Sequence, residues 1–286
     1  MNSVRLKFIW PRKWSLLAVA WFCAVGPTYA ADGPQPAGAR AWGMGNASVT
    51  ITDRFALFNN QAALAGLTQT TVFTTFDTRY GLDGLNTFRI GLVKNLRKNW
   101  TAGASITRFG DKLYSETSIG LAAAHTVGKI SLGAKVSYFQ VLFGTLNISR
   151  KTAVVELGAL AQITPALTFG MHLYNLNQAQ LFDYQRERVP TVMKMGLSYR
   201  PISKLLLAAE IEKDIDFAAR FKAGLDYEII PHVFVRTGFC TKPSTNHVGF
   251  GFSSRNLTFD YALHTHPQLG LSHHVSLSYD LGGKVQ

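Results

Sequence analysis

Four histidines near the C-terminus are the residues of this chain best suited to chemistry. His264 and His266 lie two residues apart, and His273 and His274 follow across the short segment PQLGLS. Three imidazoles on one face could bind zinc, which also needs carboxylate or carbonyl groups behind its ligands. Asp260 shares that face but lies further along the strand. We therefore expect polar lining residues here and no bound metal.

A histidine and a serine in the same region have the spacing of a hydrolytic pair. His274 and Ser276 have the His-x-Ser arrangement found in lipid A deacylases. A nucleophilic serine needs its base within about 3 Å and a third group that orients the base. Strand alternation puts both side chains on the polar face, whereas Val275 and Leu277 occupy the apolar face that lipid would touch. We therefore predict that the protein is not an enzyme and has no cofactor.

The elements that must position these residues are strands. From about residue 70 onward, apolar residues alternate with polar or small residues in segments of roughly ten, the period of a two-faced strand. Met193 and Leu197, for example, share one face, while Lys194 and Arg200 share the other. We predict strands near 70–78, 86–94, 99–108, 115–126, 129–141, 152–162, 166–175, 190–200, 204–212, 218–229, 232–240, 246–253, 257–266 and 271–281.

Residues 1–30 have the features of a secretory signal peptide. Basic residues precede an apolar run from Trp14 to Val25, and small residues lead up to Ala30. No other segment has the roughly 20 apolar residues of a transmembrane helix. An exported chain rarely meets nucleic acid, so the net charge of +12 does not indicate that partner. Removal of the signal would leave Cys240 as the lone cysteine, which excludes an intrachain disulfide.

The strand pattern predicts a membrane barrel rather than a soluble sandwich. An exported chain with an apolar strand face must bury it in lipid, where only a closed barrel satisfies every backbone group of a sheet. An immunoglobulin-like sandwich has about seven to nine strands, which is fewer than this pattern requires. Tight connections such as 127–129 alternate with longer ones such as 142–151, as periplasmic turns and external loops do. We predict an all-β transmembrane antiparallel barrel of about 14 strands over residues 68–286, in contact with lipid of the bacterial outer membrane.

Glycines recur near the middle of the predicted strands, always on the polar face. Glycine weakens a strand interior, so this placement needs a cause. One explanation is close approach of a plug inside the lumen, and the other is barrel curvature with room for adjacent aromatic rings. The pattern leaves both explanations open. The glycines are Gly91, Gly103, Gly120, Gly133, Gly158, Gly170, Gly196, Gly224, Gly238 and Gly249.

Residues 31–67 do not share the strand alternation. Gly43 and Gly45 have the first spacing of a dinucleotide-binding loop, but Ser48 occupies the third glycine position and no strand precedes them. Apolar residues in 53–67 indicate tight turns and a short helix instead. Because a barrel of this strand number has a lumen that could hold more than side chains, we predict that 31–67 is a lumenal plug.

The stretch Gly38 to Val49, GARAWGMGNASV, is followed by Asp53 and by Asn60-Gln61-Ala62. This pattern of about thirty residues resembles the N-terminal signature of the FadL superfamily of fatty-acid transporters, and is most similar to its PorV/PorQ branch. Gln61 stands where the family usually has proline. The resemblance implies a fourteen-stranded outer-membrane barrel with an N-terminal plug, and several of these proteins serve type IX secretion. The plug motif it implies comprises Arg40, Gly43, Met44, Gly45, Asn46, Asp53, Asn60 and Ala62.

Charged residues of both signs lie on the predicted inner face. Their mixed signs favour pairing across the strands or with the plug over an open pore, which would show little ion preference. The expected lumen-lining residues are Arg89, Lys135, Glu156, Lys194, Glu210, Arg220, Lys222, Asp226 and Arg236.

The chain is short for a transporter with a large external capture groove. Its longest predicted external segment, 175–188, has few apolar residues from which a ligand pocket could be built. We therefore expect a PorV/PorQ-type accessory of envelope protein secretion, whose partners are secretion-system or secreted proteins. The alternative is a FadL-like channel that takes up a hydrophobic small molecule.

Overall fold

A computed structural model describes residues 34–97, 99–145, 147–181 and 189–282. The proposed signal peptide lies outside these residues. Within the described ranges the chain forms fourteen strands: β1 Thr70–Thr78, β2 Thr87–Arg97, β3 Trp100–Gly110, β4 Tyr114–Val127, β5 Ile130–Phe143, β6 Ile148–Gln162, β7 Leu167–Tyr174, β8 Val192–Ile202, β9 Leu205–Asp214, β10 Arg220–Ile230, β11 Val233–Thr241, β12 Ser244–Ser254, β13 Leu257–His266 and β14 Gly270–Leu281.

The fourteen strands form one closed antiparallel barrel. Each strand pairs with its sequence neighbours, and β1 closes the sheet against β14 from Thr70 opposite Leu281 to Thr78 opposite His273. Closure leaves no free sheet edge along most of the wall, as the interior of a bilayer requires. The predicted fold class and strand count are therefore confirmed.

The strand limits follow the sequence pattern closely, with one clear correction. Strand β6 begins at Ile148, although alternation became visible in the sequence only near residue 152. After Ile148, the residues Ser149, Arg150 and Lys151 are polar on both faces and so give no two-faced signal, yet they pair with the outer end of β5. As a result, the connection expected over 142–151 spans only 144–147.

The expected alternation of short and long connections holds only in part. Residues 175–191 form a long connection at the external end, as expected, and 79–86 form another. The other external connections are short. For example, only Lys242 and Pro243 separate β11 from β12. Long external loops are thus confined to two places on the rim.

Apolar side chains cover the outside of the barrel. Leu197, Leu277 and Val248 are 44%, 41% and 54% exposed, and similar residues recur around the wall. Polar residues between them point inward and are buried, as in the alternating burial of β9. A closed barrel with an apolar belt and a polar interior is a protein of the bacterial outer membrane.

No helix in the described part of the chain has the length and apolar character needed to cross a bilayer.

The described N-terminal segment, residues 34–67, lies inside the lumen, and we call it the plug. It contains α1, Ala39–Gly43, α2, Ala56–Asn59, and a 3-10 helix, Gln61–Gly66. Helix α1 packs against β11 to β14, whereas the 3-10 helix packs against β3 to β6. The plug therefore spans the lumen and touches opposite parts of the wall.

We expect a charged substitution on the outer surface of the barrel to destabilise the protein more near the middle of the membrane than at its edge. Leu197→Arg places a cation near the middle of β8 on the lipid face and should lower the free energy of unfolding by roughly 2–4 kcal/mol. Leu113→Arg is the matched control, because Leu113 is 67% exposed in an external turn and should cost about 0–1 kcal/mol. Denaturant unfolding in lipid vesicles measures both, and equal losses would contradict the assigned belt.

Candidate functional site: the plug and the lumen wall

Most mid-strand glycines make room for the plug. A Cβ added at Gly224 would meet the carbonyl oxygen of Met44, and one at Gly238 would meet the backbone of Met44 and Gly45. Gly45 itself has φ +66, a left-handed conformation that favours glycine. The wall glycines whose added Cβ would lie against the plug are Gly103, Gly133, Gly158, Gly170, Gly196, Gly224, Gly238 and Gly249.

Two of the ten glycines have a different role. Gly91 makes room for the ring of Phe73, and Gly120 for the side chains of Lys135 and Ser137. Close approach of the plug therefore accounts for most positions, and room for an aromatic ring accounts for Gly91.

Glu210 on β9 binds the plug backbone directly. One of its carboxylate oxygens accepts hydrogen bonds from the amides of Ser48 and Val49, both at 2.8 Å. The other accepts from Lys222 at 2.9 Å, and Lys222 also pairs with Glu212. Because a buried carboxylate is costly unless its oxygens are satisfied, this arrangement fixes the plug loop against β9 and β10.

Glu212 joins the remaining cations of this part of the wall. It lies 3.5 Å from Lys194 and 2.8 Å from Arg220. Lys194 of β8, Glu210 and Glu212 of β9, and Arg220 and Lys222 of β10 thus form a network in which neighbouring strands supply opposite charges.

Arg40 in α1 ties the plug to a second charge network. Its guanidinium donates to Asp226, which also accepts from Arg236, and Arg236 continues to Asp260 at 2.6 Å. Asp53 lies 3.6 Å from Arg40. Burial lowers the pKa of Arg40, but the carboxylates of Asp226 and Asp53 outweigh it and raise that pKa. Burial raises the pKa of the Asp53 carboxyl despite the nearby cation.

Glu156 forms the contact on the opposite side of the lumen. It accepts from Gln61 of the plug at 2.9 Å, and lies 3.1 Å from both Lys135 and His172. Gln61 therefore makes a contact with the wall that the proline usual at this position could not make. The adjacent Asn60 side chain accepts from the amide of Ala62 and donates to the carbonyl of Val49, which holds the local turn.

An aromatic stack anchors α1 to the wall. The Trp42 ring lies 3.8 Å from His274 and 5.0 Å from His264, centroid to centroid, with His247 further out at 6.4 Å. His274 bonds to His264 at 2.9 Å and to Asp77 at 2.8 Å. Asp77 in turn pairs with Arg89. Arg89, a predicted lumen-lining residue, therefore also belongs to this anchor.

The remaining residues of the plug motif lie at the same interface. Gly43 packs against Gly249, and the Asn46 carbonyl accepts from Lys222 at 3.4 Å. Met44 is fully buried against β10 and β11. Motif residues such as Met44 and Gly45 approach the wall closely, but so do Gln61 and Val49, which the motif does not include.

The structure gives the histidine cluster structural partners. His266 does not join His264 and His274, because its ring accepts from the amides of the following turn. Among the described residues, no group of three or more histidine, cysteine or acidic side chains is arranged to hold a metal ion. Ser276 accepts from the amide of Ala39 at 3.1 Å, so its hydroxyl contacts the plug.

Several residues of the site were not singled out in the sequence. Asp77, Trp42, His172 and His247 all lie in the lumen and contact the plug or its partners. The inward parity of His172 and His247 was available from the strand pattern. The stacking on Trp42 was not, because it depends on where the plug sits.

A small apolar cluster lies at the external mouth. Val154 of β6 packs against Ala179 and Val189 of the 175–191 connection, with Phe139 and Leu181 beside them. The Asn175 side chain donates to the carbonyl of Val189 and so folds the connection inward. The described ends of this connection therefore place apolar side chains at the external mouth.

The β6–β7 ladder stops short at this mouth. Its paired residues run only from Leu157 to Gln162, although β6 begins at Ile148. Beyond the ladder, the Asn177 side chain donates to the carbonyl of Ala153 and accepts from the amide of Val155. With the bond from the Leu176 amide to the carbonyl of Val155, this side-chain amide replaces a continuous strand ladder here.

Several solved proteins share this fold, among them a hydrocarbon channel and an outer membrane protein. The deltaS2 mutant of the monoaromatic hydrocarbon channel TodX matches with a TM-score of 0.68 at 12% identity, over 88% of this chain and 100% of that chain. The P. putida toluene transporter TodX matches with a TM-score of 0.61 at 12% identity, with the same coverage. The Acinetobacter baumannii outer membrane protein Omp33 matches at 0.51 and 7% identity, over 74% and 98%. At these identities the likeness establishes the fold alone.

No protein-family model matches the sequence, and no curated protein matches it.

We expect the plug to loosen when a wall glycine facing it gains a side chain. Gly224→Ala places a methyl group against the Met44 carbonyl, and such overpacking costs about 1–3 kcal/mol. The measurement is ion conductance in planar bilayers, which should rise as the plug shifts. Gly120→Ala is the matched control, because its methyl group meets only wall side chains. A conductance unchanged by Gly224→Ala would argue against the contact.

Proposed function

We propose that this protein is a FadL-like channel for uptake of a small hydrophobic molecule across the outer membrane, not an enzyme. The observation that carries the proposal is the apolar cluster at the external mouth, beside the point where the β6–β7 ladder ends. The fold shared with a hydrocarbon channel supports the same class of cargo. A monoaromatic hydrocarbon is therefore the first cargo to test.

The proposed route begins under the 175–191 connection. A hydrophobic molecule gains free energy by leaving water for an apolar surface, at roughly 25 cal/mol per Å² buried. Val154 is only 1% exposed beneath Ala179 and Val189, so the cluster would offer such a surface once the connection moves aside, whereas the charge networks further down would not. The mouth thus binds the cargo, and onward movement requires the plug or its side chains to shift.

The test asks whether the cargo passes through the gap in the β6–β7 ladder. It closes that gap with a reversible cross-link. In a Cys240→Ala background, Ala153→Cys with Asn177→Cys should form a disulfide at the site of the present side-chain bond. Oxidised protein in liposomes should then take up radiolabelled toluene no faster than protein-free liposomes, and reduction should restore the rate.

The matched control pair lies where the wall is continuous. Gln140→Cys with Lys151→Cys joins two residues that already face each other in the β5–β6 ladder, so oxidation should leave uptake unchanged. Uptake unaffected by either cross-link would rule out the β6–β7 gap as the route. Toluene uptake equal to that of empty liposomes with both pairs reduced would overturn the channel function.

A second candidate function is supported by the filled lumen. The plug occupies the described lumen, and its contacts with the wall are charge pairs and close backbone packing. A permanently plugged barrel suits the PorV/PorQ-type function, in which the protein is an accessory of protein secretion and binds secretion-system or secreted proteins through its rims. Affinity purification from native outer membranes in mild detergent separates the two. Recovery of envelope or secreted proteins favours the accessory, and a barrel alone with bound lipid favours the channel.

A further inference from the structure

A polar cavity opens between the plug and the wall at the periplasmic end. Its volume is about 90 Å³, and it lies between plug residues 50–52 and strands β7, β8 and β9. A site of this size holds several waters or one small polyatomic ion, since one water needs about 10–15 Å³ on the same measure. It is too small and too polar for a hydrocarbon.

The charge of the cavity lining is positive. Arg40 and Arg200 line it, and no carboxylate does among the lining residues. Arg40 is already paired with Asp226 and approached by Asp53. Arg200 is exposed at the end of β8 and has no carboxylate partner within the described ranges. The lining therefore includes an arginine with no carboxylate partner among the described residues, and the planar donors of a guanidinium suit an oxyanion.

Two hydroxyls in the lining have no hydrogen-bond partner among the described residues. Thr50 in the plug and Ser198 in the wall are each 6% exposed, and in the described part of the chain neither hydroxyl makes a hydrogen bond. Neither oxygen is among the side-chain atoms shut off from solvent, so both hydroxyls are available to a ligand in the cavity that accepts hydrogen bonds. One donor belongs to the plug and the other to the wall.

From the cavity, the Arg200 guanidinium and the two unpartnered hydroxyls, we propose an oxyanion site at the periplasmic end that bridges the plug and the wall. Arg200 supplies charge, and Thr50 and Ser198 donate to the oxygens of a phosphate or carboxylate group. A ligand held by both sides binds the plugged state more tightly than any state in which Thr50 has left, so the anion stabilises the plug. The site goes beyond the channel function and does not depend on it.

The experiment is calorimetric titration of the full protein in neutral detergent with inorganic phosphate, at ionic strength held constant with chloride. Wild-type protein should bind saturably. Arg200→Gln should weaken binding at least roughly tenfold, since it removes a charged hydrogen-bond partner. Thr50→Val keeps the shape of the side chain, removes only the hydroxyl, and should weaken binding by a smaller factor.

Lys129→Gln is the matched control, because it removes one exposed positive charge from another periplasmic turn, outside the cavity lining. Its phosphate affinity should equal that of wild type. Heat-dependent mobility on gels verifies that each variant has folded. Absence of saturable binding to wild type, or equal affinities of the wild type, Arg200→Gln and Thr50→Val, would overturn the site.

Two further titrations identify the source of the oxyanion. If acetate and decanoate bind with equal affinity, and Arg200→Gln weakens both, the site is assigned to a free anion. Decanoate binding far more tightly than acetate, with the same dependence on Arg200, assigns it to the head group of an amphiphile. Failure of the channel test with intact phosphate binding would leave this site standing.

Discussion

The plug backbone can approach the backbone of the wall closely only where the wall residue has no side chain. Backbone from the plug meets backbone of the wall at Gly133, Gly170, Gly224 and Gly238, at separations that a single methyl group would prevent. Glycine costs a strand roughly 0.5–1 kcal/mol relative to alanine, so a row of them would be unfavourable without compensation. The compensation is the burial of the plug and the hydrogen bonds that its backbone forms with the wall.

Electrostatics then determines how firmly the plug is held. Ions moved from water into the lumen lose hydration, and buried pairs regain that loss only when every oxygen and nitrogen has a partner. Glu210 meets this requirement by accepting from two plug amides and one lysine. The plug thus completes charge networks that the wall alone would leave unsatisfied. Removing it would expose these carboxylates to water rather than bury them unpaired, so the bound and displaced states differ less in energy than the number of ion pairs suggests.

The sequence predicted the barrel better than the site. Period-2 alternation specifies which face of each strand meets lipid, because a shift of one residue would exchange hydrocarbon for charge. It therefore located β9 and β13 closely, and it placed residues such as Lys194 and Lys222 on the inside. Pairings across the lumen have no such local signal. The contacts of Trp42 with His274 and of Gln61 with Glu156 join residues far apart in the chain, and only the folded plug brings them together. At the start of β6, the polar residues Ser149, Arg150 and Lys151 lie on both faces, so the alternation that would mark a strand is missing.

The contacts of the plug are unevenly distributed around the wall, and this bears on how a molecule could pass it. Side-chain anchors join the plug to β10 through β14 at Arg40 and Trp42, to β6 at Gln61, and to β9 through Glu210. Along β7 and β8 the plug instead rests on Gly170 and Gly196, with the polar cavity below them. The same sector has the incomplete β6–β7 ladder and the apolar mouth above it. A path along this sector would displace plug residues 49–52 and leave the aromatic stack intact. A local shift is energetically easier than expelling a plug that is bonded on both sides, so partial movement of the plug is consistent with both a filled lumen and the fold of a channel.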